Sequence, residues 1–193
     1  MSILEVDGAA LLKAMTKLLA AKGVLTELEI AEQRYAVDNT PPGQGARMVA
    51  RAWTDPEYRA QLLSDGARAA EAMNIPMRGM PPLGVLENTE QVHHLVVCTL
   101  CSCYPKAILG YPPYWYKSAA YRARAVRDPR GLLAEFGTTL RPEVKVRVVD
   151  STADYRWMVL PQRPSGTQAW SVERLAEIVR PSDMVGVTIP TVD

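Results

Sequence analysis

The chain has 193 residues, of which 48% are hydrophobic and 22% charged, with 22 basic and 21 acidic side chains and a formal net charge of +1. This composition is typical of a globular protein with one sizeable core, and it excludes a chain that is disordered throughout. The nearly balanced charge provides no general basic surface for nucleic acid or for an anionic membrane, so neither partner is predicted.

No apolar run approaches the roughly 20 residues that span a bilayer. Residues 1–7 lack the basic start and the uninterrupted apolar segment of a secretory signal peptide. Cysteines that are not spread out in pairs agree with a reducing compartment. The sequence therefore predicts a cytoplasmic location without a membrane span.

The first part of the chain, residues 1–75, is predicted to be an N-terminal helical arm. Asp7 can cap a helix over residues 8–22, which Gly23 is placed to end. Thr26 followed by Glu29 forms a capping box that predicts a second helix to about residue 37. Two more helices are expected at 46–53 and 56–73, the latter with proline at its first position.

The second part, residues 76–193, begins after a stretch rich in proline and glycine and is predicted to be a catalytic domain with a mixed sheet flanked by helices. We expect the strand at 155–160 to pair with the strand at 144–148. The fold class that follows from helices first and a sheet afterwards is α+β or layered α/β. The remaining predicted elements are strands at 85–87, 94–98 and 184–189 and helices at 112–126, 128–137 and 171–179.

All three cysteines lie within six residues, Cys98, Cys101 and Cys103, in the pattern C-T-L-C-S-C. Such a cluster cannot form a disulfide framework, which needs pairs that close long loops. Cys101 and Cys103 are one residue apart and would point to opposite sides of an extended strand, so only a tight turn brings both sulfurs to one ion. We interpret the cluster as a metal site.

A turn at Ser102 would place four ligand atoms in one plane around an ion: the backbone nitrogens of Ser102 and Cys103 and the sulfurs of Cys101 and Cys103. These atoms would form six-membered and five-membered chelate rings with the ion. Cys98 can cap that plane from below, which leaves the opposite position open, as catalytic metals require. Amide nitrogens bind only after losing a proton, which favours Co(III) or Fe(III) over tetrahedral Zn(II). A zinc site completed by His93 or His94 is the alternative.

Three thiolates and two amidates carry five negative charges, and a trivalent ion offsets only three of them. Buried uncompensated charge is very costly, so cations are expected close to the cluster. The candidates in this chain are Arg78, Lys106, Arg122, Arg124, Arg127 and Arg156.

The run from Val96 to Pro105 resembles the metal-binding claw of nitrile hydratase α subunits, and Thr99 resembles the cobalt type. The likeness extends through Trp115-Tyr116-Lys117-Ser118, Glu135-Phe136-Gly137 and other segments over about two thirds of the chain. It implies hydration of a nitrile to the amide at a Co(III) centre, with Fe(III) as the second choice.

The resemblance further implies that Cys101 becomes a sulfinate and Cys103 a sulfenate. The metal ligands that it implies are Cys98, Cys101, Ser102 and Cys103. The catalytic group that it implies consists of Cys101, Ser102 and Cys103. It also implies one or more β-type partner subunits that supply arginines to the claw, a small nitrile substrate and a metallochaperone or activator. Asp150 and Arg156 resemble positions at subunit contacts, although a surface ion pair explains them equally well.

Two departures concern the substrate pocket and its surroundings, for which Arg78, Tyr104, Lys106 and Arg156 are the candidates. Lys106 stands where these enzymes usually carry tryptophan, and Arg78-Gly79-Met80 replaces a Gln-Gly-Glu-like run. A cation at 106 implies a more polar pocket.

Two other functions compete with that of a nitrile hydratase subunit. One is a thiocyanate hydrolase subunit, which has a similar claw, and the other is a non-catalytic zinc module.

Overall fold

The computed structural model describes residues 8–38 and 43–192. Two compact units divide the chain, Met1–Asn39 and Thr40–Asp193. No described helix is both long and apolar enough to cross a membrane.

The first unit contains helices α1 (Gly8–Ala21) and α2 (Glu27–Asp38). Helix α1 ends at Ala21, and the chain turns at Gly23, whose φ of 66° lies in the left-handed region that glycine adopts without strain, as predicted for the residue that ends this helix. The predicted capping box is confirmed, because the Thr26 amide donates to the Glu29 carboxylate at 2.7 Å and the Glu29 amide donates to the Thr26 hydroxyl at 3.1 Å. The predicted cap at Asp7 lies outside the described residues.

The second unit begins with helices α3 (Gln44–Thr54), α4 (Pro56–Ser64) and α5 (Gly66–Glu71). The single helix predicted over 56–73 is wrong, because Asp65 adopts an extended conformation and its side chain accepts a hydrogen bond from the Arg68 amide. Aspartate is a favoured N-cap, so it ends one helix and starts the next.

Among the described residues, four strands follow in two parallel pairs: β1 (Leu83–Glu87) with β4 (Arg156–Leu160), and β2 (Val92–Val97) with β3 (Lys145–Asp150). The predicted pairing of 144–148 with 155–160 is therefore wrong. Residues 151–155 are long enough for a hairpin, but the chain instead carries β4 across to β1, where Met158, Val159 and Leu160 are fully buried.

The other helices are short. The helix predicted over 112–126 is interrupted at Ser118, whose hydroxyl caps the second piece by accepting from the Tyr121 amide at 3.1 Å. These helices are α6 (Lys106–Leu109), α7 (Tyr114–Lys117), α8 (Ala119–Arg127), α9 (Pro129–Glu135), α10 (Val172–Glu177) and α11 (Pro181–Met184).

The strand predicted over 184–189 does not form. Met184 is the last residue of α11, Val185 and Val187 are buried beyond it, and Ile189 is exposed. Gly186 has a φ of 81° and turns the chain immediately after Val185, whose carbonyl accepts one hydrogen bond from the Val96 amide at 2.9 Å. The burial of Val185 and Val187, rather than sheet pairing, explains the apolar pattern of this segment.

One hydrophobic core joins α3–α5 to the strands, and it includes Leu62, Ala69, Val85, Val96 and Met158. The boundary between the two compact units lies near residue 39, and the division between a helical arm and a catalytic domain after residue 75 stays a prediction. The fold class is confirmed as a mixture of helices and small parallel sheets, and the mixed sheet of the prediction is resolved into two parallel pairs.

Candidate metal centre

The cysteine cluster lies where the chain leaves β2. Cys98 follows the last residue of that strand and is 1% exposed, Cys103 is 9% exposed, and Cys101 between them is exposed. Their three Sγ atoms lie within 4.8 Å of one another. The turn that the spacing predicted therefore forms, and it gathers all three sulfurs at one end of the β2–β3 pair.

The distances between the sulfurs fit two ligands that make an angle of about 90° at a metal ion. The Sγ atoms of Cys98 and Cys101 are 3.3 Å apart, and those of Cys101 and Cys103 are 3.2 Å apart. With a metal–sulfur distance of about 2.3 Å, two sulfurs at right angles lie about 3.3 Å apart, whereas tetrahedral ligands lie about 3.8 Å apart. These residues thus fit an ion with square-planar or octahedral preference better than tetrahedral zinc.

The backbone amides of the turn face the same sulfurs. The Cys101 amide donates to the Cys98 sulfur at 3.2 Å, and the Ser102 and Cys103 amides are directed at the Cys101 sulfur. Nitrogen atoms that could become ligands after deprotonation are therefore on the sulfur side of the turn. Their role as metal ligands stays a prediction.

The thiols of Cys101 and Cys103 differ in acidity. Hydrogen bonds from Cys103, Cys98 and the turn amides lower the pKa of exposed Cys101 to about 7. Burial, together with the neighbouring thiols, raises the pKa of Cys103 to about 12, and the positive charge of Arg156 acts in the opposite direction. Cys101 is therefore the first of these two thiols to become a thiolate.

Asp150, the last residue of β3, anchors the turn. Its carboxylate accepts hydrogen bonds from the Thr99 amide, at 3.0 Å, and from the Thr99 hydroxyl. Arg122 of α8 donates to the Thr99 carbonyl at 3.2 Å. The parallel pairing of β2 with β3 brings the ends of both strands to one place, and Asp150 thus binds the turn. This contact is neither of the two alternatives, a subunit contact or a surface ion pair, that the sequence offered for Asp150.

Two buried tyrosines support the cluster from beneath. The Tyr116 hydroxyl donates to the Cys103 carbonyl at 2.9 Å, and the Tyr121 hydroxyl donates to the Val96 carbonyl at 2.7 Å. Tyr104 packs edge-on against Tyr116 with ring centroids 5.0 Å apart. These aromatic side chains belong to the core and fix the backbone on both sides of the cysteines.

Three of the four residues predicted to form the substrate pocket, Tyr104, Lys106 and Arg156, line a cavity of about 90 Å³. Arg78 is exposed in the turn before β1 and does not line this cavity. Among the candidate cations, Arg124 forms ion pairs with Glu135 and Asp128, so it is directed away from the cysteines.

The two histidines of β2 form hydrogen bonds with Asn88 and Gly186 and are not part of the metal site. The Nε2 atom of buried His93 lies 2.7 Å from the Gly186 carbonyl oxygen, and its Nδ1 atom lies 3.2 Å from the Asn88 side chain. The His94 amide donates to Asn88 at 2.7 Å. In the part of the chain that the structure describes, the cysteines alone form a metal-ligating group, so zinc completed by a histidine is not supported.

We expect Asp150→Asn to weaken metal binding by about 10-fold to 100-fold, the usual effect of losing a group that orients metal ligands. The Thr99 amide and hydroxyl donate to two different carboxylate oxygens, and asparagine replaces one of these oxygens with an NH2 donor and removes the negative charge. The measurement is metal content after dialysis against a graded chelator. Asp154→Asn, on an exposed loop residue, is the matched control. Equal metal retention in both variants would contradict an anchoring role.

A family model described as "Nitrile hydratase, alpha chain" matches residues 6–188. The chain is 50% identical over 184 residues to the low-molecular weight cobalt-containing nitrile hydratase subunit alpha of Rhodococcus rhodochrous, which covers 95% of this chain and 89% of that protein. It is 42% identical over 188 residues to the thiocyanate hydrolase subunit gamma of Thiobacillus thioparus, with 92% and 77% covered. A solved structure of recombinant thiocyanate hydrolase with partially modified cobalt centres is similar with a TM-score of 0.86 at 40% identity, and the match covers 96% of this chain and 90% of that one.

Proposed function

Because the chain belongs to the nitrile hydratase alpha chain family, we propose that it is the metal-bearing subunit of a cobalt nitrile hydratase, an enzyme that adds water to R–C≡N to give R–C(=O)NH2. The observation that carries this proposal is the group of three sulfurs within 4.8 Å, spaced for ligands at right angles. Water is added without any redox change in the substrate.

The thiolates of Cys98, Cys101 and Cys103 and the backbone nitrogens of Ser102 and Cys103 would hold the ion, Co(III) first and Fe(III) as the second choice. When bound, the metal supplies a Lewis acid that makes the nitrile carbon electrophilic. The described contacts of Thr99 with Asp150 and of Cys103 with Tyr116 hold the ligands in place before the ion arrives. Such preorganisation is what a catalytic centre requires of its protein.

Cys103 carries the chemistry in this proposal, as a sulfenate beside a Cys101 sulfinate. Its sulfenate oxygen either attacks the nitrile carbon or takes a proton from the water that does so. The Arg156 cation is close enough to affect the Cys103 sulfur electrostatically, and it therefore favours the anionic form that either role needs.

Nitrile hydratase alpha chains work with beta subunits, and we propose that a β-type subunit completes this site with arginines. Five ligand charges exceed the three on the ion, and Arg156 offsets only part of the difference. Leu100 at the tip of the turn is 87% exposed, and Cys101 is also exposed. A partner that covers both would bury an apolar side chain and exclude water from the claw. A cytoplasmic location and cobalt delivery by a metallochaperone or activator complete the proposal.

A thiocyanate hydrolase subunit is the second candidate, and Lys106 favours it. This lysine lines the small cavity together with Arg156, so two cations face the space beside the claw. The deciding assay measures hydration of thiocyanate and of neutral nitriles by the cobalt-loaded complex. Turnover of neutral nitriles alone supports the first candidate, turnover of thiocyanate supports the second, and turnover of neither contradicts both.

We expect Lys106→Trp to shift selectivity toward smaller apolar nitriles, because the indole would fill polar space with an apolar wall. A single methylene changes selectivity in an apolar pocket by about 10-fold or more, so the effect should be measurable across a homologous series. The measurement is kcat/KM for nitriles of increasing size. Lys117→Trp, on an exposed residue of α7, controls for an added indole. Unchanged relative rates would show that residue 106 does not line the pocket.

A further inference from the structure

A small cavity of about 90 Å³ lies beside the cysteine turn. Apolar side chains such as Met77, Leu83 and Ile108 form much of its wall. Its three polar side chains are Tyr104, Lys106 and Arg156, and none of the described residues that line it is acidic. Polar groups converging in an apolar pocket are typical of a binding site.

Two of these polar groups have no hydrogen-bond partner. The Tyr104 hydroxyl and the Nη1 atom of Arg156 are buried, and neither reaches an acceptor among the described residues. Tyr104 as a whole is only 3% exposed. Buried polar atoms nearly always have a partner, because leaving one unpaired costs its full desolvation free energy. A bound group that accepts hydrogen bonds would remove this cost at both atoms.

The donors determine the charge of that group. Arginine and lysine side chains can only donate, and the tyrosine hydroxyl donates to any acceptor placed before it. With two cations and no carboxylate in the wall, the site favours an anionic acceptor, whose hydrogen bonds are stronger than those of a neutral one.

The volume of the cavity limits the size of the group that it can bind. About 90 Å³ is the room that roughly three water molecules take in the liquid. We propose that this cavity is a subsite for a triatomic anionic group, bound by the Tyr104 hydroxyl and the Arg156 guanidinium, with Lys106 as the second positive charge. A carboxylate and a linear anion such as cyanate both have this size and charge.

The subsite adjoins the claw. Tyr104 directly follows Cys103, and the charge of Arg156 acts on the Cys103 sulfur. The inference therefore rests on the proposed function in one respect: a substrate with a carboxylate would place that group in the cavity and its nitrile at the claw. A free triatomic anion could occupy the same cavity without being a substrate, and the test separates these two sources.

The test uses the cobalt-loaded complex with its partner subunit and the variant Tyr104→Phe, which removes only the unpaired hydroxyl. The first arm compares kcat/KM for cyanoacetate, 3-cyanopropanoate and 4-cyanobutanoate with the values for neutral nitriles of matched length. We expect the ratio of anionic to neutral substrate to fall about tenfold for the best-fitting length. The second arm measures cyanate binding by calorimetry, with an expected tenfold loss of affinity if a free anion is the occupant.

A change in either arm supports the subsite, and the arm that changes identifies the source of the anion. No change in either arm, with nitriles still hydrated, would overturn it. If the complex hydrates no nitrile, the proposed function fails, but weaker cyanate binding by Tyr104→Phe would still support the subsite.

Tyr114→Phe, at a side chain that is 90% exposed, is the matched control. Thermal melting should show Tyr104→Phe to be no less stable than the parent, because the lost hydroxyl has no partner.

Discussion

Cys103→Ala is expected to abolish nitrile hydration in the assembled enzyme and to reduce cobalt affinity by at least about 100-fold, since even residues that only orient metal ligands contribute that much. Cys103 would provide two adjacent ligand atoms, its sulfur and its backbone nitrogen, so loss of the sulfur opens a chelate ring. Its sulfur also carries the oxygen proposed to act on the nitrile or on water. The measurements are cobalt per chain and the rate of amide formation.

Ser102→Ala is the matched control for cobalt retention, because Ser102 would contribute only its backbone nitrogen, which alanine keeps. We expect this variant to retain cobalt at the parent level. A Cys103→Ala enzyme that retained cobalt and hydrated nitriles would remove the proposed sulfenate role.

Gly186→Ala is expected to lower the free energy of unfolding by more than about 4 kcal/mol, in the range reserved for severe core defects. A Cβ atom at this position would lie 2.0 Å from the carbonyl oxygen of His94 and 3.0 Å from its carbonyl carbon. Both are backbone atoms of the buried strand β2, which cannot move aside as a flexible side chain can. The φ of 81° adds the cost of a left-handed conformation for a residue with a side chain.

The effect should reach the metal site, because β2 carries His94 and leads directly into Cys98. For a chain of this size the melting temperature should fall by about 10 °C or more. Gly166→Ala is the matched control, because its φ is 82° and nothing lies within 4 Å of an added Cβ. If both variants melt at the same temperature, the close approach of Gly186 to β2 is not what stabilises this region.

Local signals in the sequence were sufficient for most helix ends. Thr26 with Glu29, Gly23 and Pro56 each act on the backbone within a few residues, and each does in the structure what its chemistry predicts. Asp65 and Ser118 carry the same kind of signal as N-caps, but they stand inside runs with helical periodicity, which obscured the interruption.

Strand pairing could not be predicted in the same way, because it depends on contacts between distant residues. Leu86 pairs with Val159 and Leu95 with Val148, across separations that no local pattern records. A short link between two strands favours a hairpin, yet the burial of Met158 in the hydrophobic core outweighs that preference.

The metal site also combines features that local sequence predicts with features that only the fold reveals. The three cysteines and the turn between them follow from spacing within six residues, which is local information. Asp150 is 51 residues from Thr99, so its anchoring role depends on the β2–β3 pairing and is visible only in the fold. Likewise, no sequence pattern reveals that the Tyr104 hydroxyl is buried without a partner.

The most direct test of a trivalent ion held by the cysteine turn is elemental analysis of the purified enzyme combined with the mass of tryptic peptide 79–106. We expect one cobalt per chain and three added oxygen atoms on that peptide, two on Cys101 and one on Cys103. Zinc bound to a peptide with three unmodified cysteines would contradict it.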